Sequence, residues 1–166
     1  MVQIWIKYSS MFLLVILVQV LIFNQINISG FLNPYFYILF ILLLPFSMPK
    51  YLVLVVSFIL GFIIDIFANT PGMHASASVL TGFVRAPVAA RLLLNTDIGD
   101  YPGLHQTGFR WFLAYSSTLI LVHHTFLFLL EVFTFTHLHI TLLRVLVSAF
   151  FTLFFIVLSQ YLFYRK

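Results

Sequence analysis

Cysteine is missing altogether and charge is scarce: only 7% of the 166 residues are Asp, Glu, Lys or Arg, and just 4 of these are acids. Without cysteine there is no disulfide, no thiolate nucleophile and no cysteine-ligated zinc. Without charge there is no coat for a water-facing surface, since a soluble domain carries about a quarter charged residues. No stretch is long and polar enough to form a soluble domain, and there is neither an internal repeat nor a low-complexity tract. The 8 basic residues are dispersed, which argues against a nucleic-acid surface. What remains is 63% hydrophobic and includes 21 Phe, which serve as lipid-facing and packing bulk. The composition describes a single, almost wholly embedded, all-α membrane domain over residues 1–166.

Six stretches are candidates to span a bilayer: about Ser9–Ile26, Leu32–Phe46, Tyr51–Ala68, Met73–Leu94, Phe109–Phe133 and Leu138–Phe163. The second is short and carries Pro34 and Pro45 at its ends, so it is expected to tilt, to re-enter or to thin the bilayer. Lys7, Lys50, Arg91, Arg110, Arg165 and Lys166 fall on one side of the resulting topology. The opposite connections, Asn27–Asn33, Asn69–Gly72 and Thr134–His137, contain no Lys or Arg. The positive-inside rule then predicts cytoplasmic termini and an even number of crossings. Nothing resembling an A-x-A cleavage site follows the first stretch, so it is expected to be retained as a helix. "NTDIGDYPGLHQTG" (Asn95–Gly108) is the one sizeable polar connection and the best candidate for a cytoplasmic contact.

Polar residues inside apolar stretches are costly in lipid, so each needs a reason. Gly61 and Asp65 lie one turn apart on the third stretch, and "NTPG" (Asn69–Gly72) turns the chain into the fourth. Asp65 could rise to the interface or handle a ligand or proton. The favoured reading makes it a hydrogen-bonding tie of the hairpin, with Gly61 admitting a close neighbour. Ser78, Gly82, Ala86 and Ala90, spaced by four, form a small-residue stripe for helix packing, within the chain or between copies. Arg85 is off that stripe and is expected to reach the inner interface with its long stem, away from Asp65. Ser117, His124 and Glu131 form a polar face on the fifth stretch, answered by Arg144, Ser148, Thr152 and Gln160 on the sixth. Arg144 could pair with Glu131 or with Asp65, and the sequence leaves both open.

Enzymatic motifs are lacking. There is no H-E-x-x-H and no G-x-S-x-G. His123 and His124 point about 100° apart on a helix, a poor start for one metal ion. No catalytic residue, metal or cofactor is expected.

"GFIIDIFANTPGMHA" resembles the signature of the MreD family of bacterial rod-shape-determining membrane proteins: Gly61 and Asp65 at a helix end, Gly72 in a short turn, then the small residues Ala75 to Ala77. "GFRWFLAYSSTLILVHHTFLFLLE" (Gly108–Glu131) is similar to the fifth helix in one branch of that family. The resemblance covers most of the chain. It implies a non-enzymatic scaffold of the cell-wall elongation machinery in the bacterial inner membrane. Such a scaffold would bind an MreC-like partner, and through it MreB filaments, the RodA glycosyltransferase and a penicillin-binding transpeptidase. It also implies a fold similar to the membrane substrate-binding subunits of energy-coupling-factor transporters. The alternative that follows is a small-molecule-binding transporter subunit, with Asp65, His74, Glu131 and Arg144 lining an outward cavity. Membrane lipids are partners on either reading.

Overall fold

The computed structural model describes residues 2–26, 33–92, 99–133 and 138–162, the first four through their backbone alone. Arg165, Lys166, all of the Asn27–Asn33 connection but Asn33, the Thr134–His137 connection, the start of the Asn95–Gly108 loop, and Leu32, Leu94 and Phe163 at the expected helix ends lie outside the described residues. All regular structure among the described residues is helical. The helices are α1 (Val2–Leu21), followed by a 3-10 turn (Phe23–Gln25), α2 (Ile38–Leu43), α3 (Lys50–Ala68), α4 (Met73–Leu92), α5 (Leu104–Thr107), α6 (Phe109–Val132) and α7 (Leu138–Leu162).

Four segments are long and apolar enough to cross a membrane: Ile6–Gln25, Lys50–Ala68, Phe109–Val132 and Leu138–Leu162. Their outward faces carry residues such as Phe58, Phe62, Leu146, Phe150 and Phe154, all exposed, as lipid contact requires. α4 is 20 residues long but rich in Ser, Thr, Gly and Arg. It compensates by burial, packing against α3 on one side and α6 on the other.

The helix expected over Leu32–Phe46 is only the six-residue α2. Asn33–Tyr35 is non-helical and the chain leaves the helix at Leu44 and Pro45. Proline explains both limits. Pro34 cannot donate into a ladder, and Pro45 disfavours the helical conformation at Leu44. Irregular backbone at membrane depth survives only when protein encloses it, and residues 34–42 are buried without interruption. This segment is the axis around which the longer helices are arranged.

Both ends of the axis are secured by side chains. At one end, the Asn33 N–H donates to Ser148 Oγ (3.2 Å) and the Tyr35 N–H to Thr152 Oγ1 (2.9 Å). Gln19 bridges the same region, accepting the Tyr37 N–H at 3.3 Å and donating to the Pro34 carbonyl at 3.2 Å. At the other end, the Tyr115 hydroxyl donates to the Leu42 carbonyl at 3.2 Å. The Arg85 guanidinium donates to the carbonyls of Leu44 and Pro45. The polar connection after α4 does not hang free there. The Phe46 N–H donates to the Asp100 carbonyl, and the Ser47 N–H and hydroxyl donate to the Asp100 carboxylate.

Candidate functional site

The polar side chains gather into two clusters, one at each end of the buried segment. The first is the α3–α4 junction and the imidazole group beside it. α3 ends at Asn69, whose left-handed backbone (φ 56°) returns its N–H to the Asp65 carbonyl. Gly72 (φ 78°) completes the turn in a conformation that suits glycine. Asp65, only 4% exposed, then closes the junction. Its Oδ1 accepts from Thr70 Oγ1 (2.6 Å) and the His74 N–H (3.0 Å), and its Oδ2 accepts from the Ala75 N–H (2.9 Å). These N–H groups belong to the first turn of α4, where donors have no intrahelical partner and the helix dipole favours an anion. Asp65 is thus a carboxylate cap supplied from the preceding helix. Gly61 is needed one turn below, because a Cβ there would lie 2.6 Å from the Ala75 Cα.

Beyond this cap, the buried Tyr37 hydroxyl lies 3.0 Å from His74 Nδ1 and 2.8 Å from His123 Nε2. His124 Nδ1 faces the Ile120 carbonyl at 2.9 Å, so that nitrogen carries the proton. Its Nε2 then accepts from Thr152 Oγ1 at 3.1 Å, and the same oxygen takes the Tyr35 N–H. A neutral ring satisfies every group in that chain. Tyr37 has one proton for two imidazoles, so it donates to one and accepts from the other. His123 Nδ1 is left buried without a partner. The Tyr35 ring rests edge-on to His74, with centroids 5.1 Å apart. Among the described residues no three His, Asp or Glu side chains are grouped to hold a metal ion.

A cavity of about 340 Å³ opens at this end, lined by Asn24, Asn33, Tyr35, Thr70, His74 and Glu131 among others. Asp65 and Arg144, expected beside His74 and Glu131 in such a cavity, do not line it. Arg144 pairs with Glu131 rather than Asp65, one nitrogen lying 2.9 Å and 3.2 Å from the two carboxylate oxygens. Its guanidinium sits 4.7 Å from the Phe128 ring centroid.

The second cluster is centred on Arg85, 4% exposed. The stem does not carry the charge to the interface as expected. Arg85 Nε donates to the Tyr115 hydroxyl at 2.9 Å, the terminal nitrogens cap the end of α2, and the guanidinium lies over Phe46 (4.9 Å). The last carbonyls of a helix need donors and favour a cation, and in a buried α2 only side chains can provide them.

The small-residue stripe holds for half its length. Ser78 and Gly82 are buried, and a Cβ on Gly82 would lie 2.7 Å from Ser57 Oγ, so α3 occupies that face. Ala86 and Ala90 are exposed, and Arg85 and Ala89 take their place in the packing. Each four-residue step advances about 400°, a drift of about 40°, so a strict four-residue stripe winds off the buried face within three steps. Sequence reasoning singles out Asp65, Arg85, His124, Glu131 and Arg144, considers His123 only as a metal ligand, and does not find Gln19, Tyr37 or Tyr115. Gln19 stands alone as an amide within an apolar run, which was a usable signal. Nothing in the sequence distinguishes Tyr37 and Tyr115 from the other 6 tyrosines.

Compared with protein-family models, curated proteins and solved structures, the chain matches none of them. The two clusters describe a helical membrane protein whose two buried charges, Asp65 and Arg85, are held largely by its own backbone, and the particular assignment rests on the resemblance and the chemistry.

Proposed function

We propose that the protein is an MreD-like, non-enzymatic scaffold of the cell-wall elongation complex, holding an MreC-like partner in the bacterial inner membrane. The single observation that carries this reading is the convergence of the resembling residues. Gly61, Asp65, Gly72 and Ala75 meet at one junction, and each has a structural task there. Asp65 and Arg85, the two costliest embedded groups, are engaged by backbone amides, backbone carbonyls and hydroxyls. That is the economy of a rigid anchor. Through the partner, the scaffold would connect to MreB filaments, RodA and a penicillin-binding transpeptidase.

The proposed topology has six crossings and cytoplasmic termini. It is supported by chain direction: α1, the segment around α2, α3, α4, α6 and α7 alternate between an end containing Thr70, His74 and Glu131 and an end containing Lys7, Ser47 and Tyr101. Cysteines introduced at Asn33 and Asn69 should react with an impermeant maleimide in intact cells, and one at Thr107 only after permeabilisation. Reaction at Thr107 in intact cells sinks the topology. For the function, depletion should turn rod-shaped cells round, and the tagged chain should retain an MreC-like protein in mild detergent. Normal shape on depletion, with no such partner retained, refutes the scaffold.

The second reading, a small-molecule-binding transporter subunit with a fold like those of energy-coupling-factor systems, is favoured by one feature. The cavity at the His74 end holds amides, a phenol and an imidazole within about 340 Å³, the lower range of ligand pockets. Saturable uptake of a small molecule, lost on depletion while shape stays normal, would select it.

A further inference from the structure

α1 and α3 enclose a second cavity of about 660 Å³, with Phe40 and Leu44 of the central segment as its floor. Its walls are apolar: Phe12 and Leu13 on α1, Leu52 and Val56 on α3. It exists because α1 is engaged over only half its length. Val15, Ile16 and Gln19 are buried, whereas from Ile6 to Leu14 no residue is. The groove starts beside Pro49 and stops at Ile59 on α3. From Lys50 to Ile59 is about 13 Å at 1.5 Å per residue, close to the roughly 15 Å of one leaflet's hydrocarbon. A membrane-spanning partner helix would need a groove twice as tall. A single lipid chain needs this one.

The charges at its mouth select the headgroup. Lys7 adjoins the lining residue Tyr8, and Lys50 adjoins the lining residue Pro49. Both are exposed. Lys7 lines a smaller neighbouring cavity, over the Tyr101 ring (5.3 Å), and reaches the groove through Tyr8, which lines both and whose ring is 5.8 Å from the ammonium. The nearby acid, Asp100, is held back by the N–H and hydroxyl of the lining residue Ser47 at 2.5 Å and 2.6 Å, and the two lysines outweigh its charge. We infer that this groove is a binding site for an anionic phospholipid of the Lys7-side leaflet, one acyl chain lying between α1 and α3 and the phosphate held between Lys7 and Lys50. The site is independent of the scaffold reading and requires only that the bundle be embedded in a bilayer.

Native mass spectrometry of the detergent-purified full chain, with phosphatidylglycerol and phosphatidylcholine of identical chains in competition, tests it. Two lysines near an anionic headgroup should give roughly a tenfold or greater preference for phosphatidylglycerol. Lys7→Gln with Lys50→Gln should bring the two lipids to parity. Leu13→Trp, at a position 61% exposed and so tolerant of bulk, should fill the groove and reduce retention of both. Independently of any substitution, phosphatidylglycerol with a photoreactive acyl chain should label the peptides holding Ser9–Leu13 and Leu52–Ile59. Equal retention of the two lipids by the parent overturns the assignment, as does a preference surviving the double substitution. So does labelling concentrated on α6 and α7, or a protein adduct in place of lipid when a cross-linker is placed at Leu13 in cells.

Discussion

Replacing Asp65 by leucine leaves three donors at the α3–α4 junction without an acceptor: the His74 and Ala75 N–H groups and the Thr70 hydroxyl. The two N–H groups are buried in the first turn of α4, and stranding each costs about 1–3 kcal/mol. Thr70 is able to turn its hydroxyl elsewhere. Removing a buried carboxylate also removes its desolvation cost, which offsets part of the loss. The net expectation is about 3 kcal/mol of destabilisation. Asp65→Asn is intermediate rather than neutral. Its one oxygen can serve Thr70 and His74 as Oδ1 does, but its amide nitrogen then confronts the Ala75 N–H, donor against donor. About 1–2 kcal/mol is expected for that single lost bond. The assay is thermal aggregation of detergent-purified protein, read beside partner retention on a tagged chain. The midpoints should rank parent, then Asp65→Asn, then Asp65→Leu. An Asp65→Leu protein as stable as the parent but inactive would refute the argument and make Asp65 a binding or proton-handling group.

Gly61→Ala should cost more than Gly82→Ala in the same assay, by about 1–3 kcal/mol. The first Cβ meets the Ala75 backbone at 2.6 Å, whereas the second meets the Ser57 hydroxyl, which can rotate, at 2.7 Å and its other neighbours only at 3.4 Å; equal midpoints would contradict the close approach. Arg85→Ala leaves the Leu44 and Pro45 carbonyls without their donor and should cost about 1–3 kcal/mol for each, offset in part by the relief of a buried charge. Arg85→Lys should restore only part of this, since an ammonium on a shorter stem cannot span Tyr115, Leu44 and Pro45 together; full rescue by lysine would show that charge alone suffices. Tyr37→Phe removes the hydroxyl shared by His74 and His123 and should cost about 1–3 kcal/mol, whereas a midpoint equal to the parent's would mean that the imidazoles find other partners.

The sequence determined the membrane class, the extents of α3, α4, α6 and α7 to within a residue or two and the α3–α4 hairpin, because each is a property of consecutive residues; α1, expected over about Ser9–Ile26, instead runs from Val2 to Leu21 and is followed by a 3-10 turn. A run such as Lys50–Ala68 is apolar whatever surrounds it, and "NTPG" turns by local backbone preference. The tie between Asp65 and the start of α4 was legible for the same reason, its partners lying 5 to 10 residues away. Tertiary structure alone decided what α2 is and what the remaining polar groups do. Backbone groups of a segment broken at Pro34 and Pro45 must find donors and acceptors wherever the fold brings them. Here Arg85 lies 41 residues from Leu44, His123 lies 86 from Tyr37, and Thr152 lies 117 from Tyr35. No periodicity records such distances. In hydrocarbon, without water to satisfy a stranded amide or guanidinium, those long-range bonds decide whether this broken segment can lie inside the bundle at all.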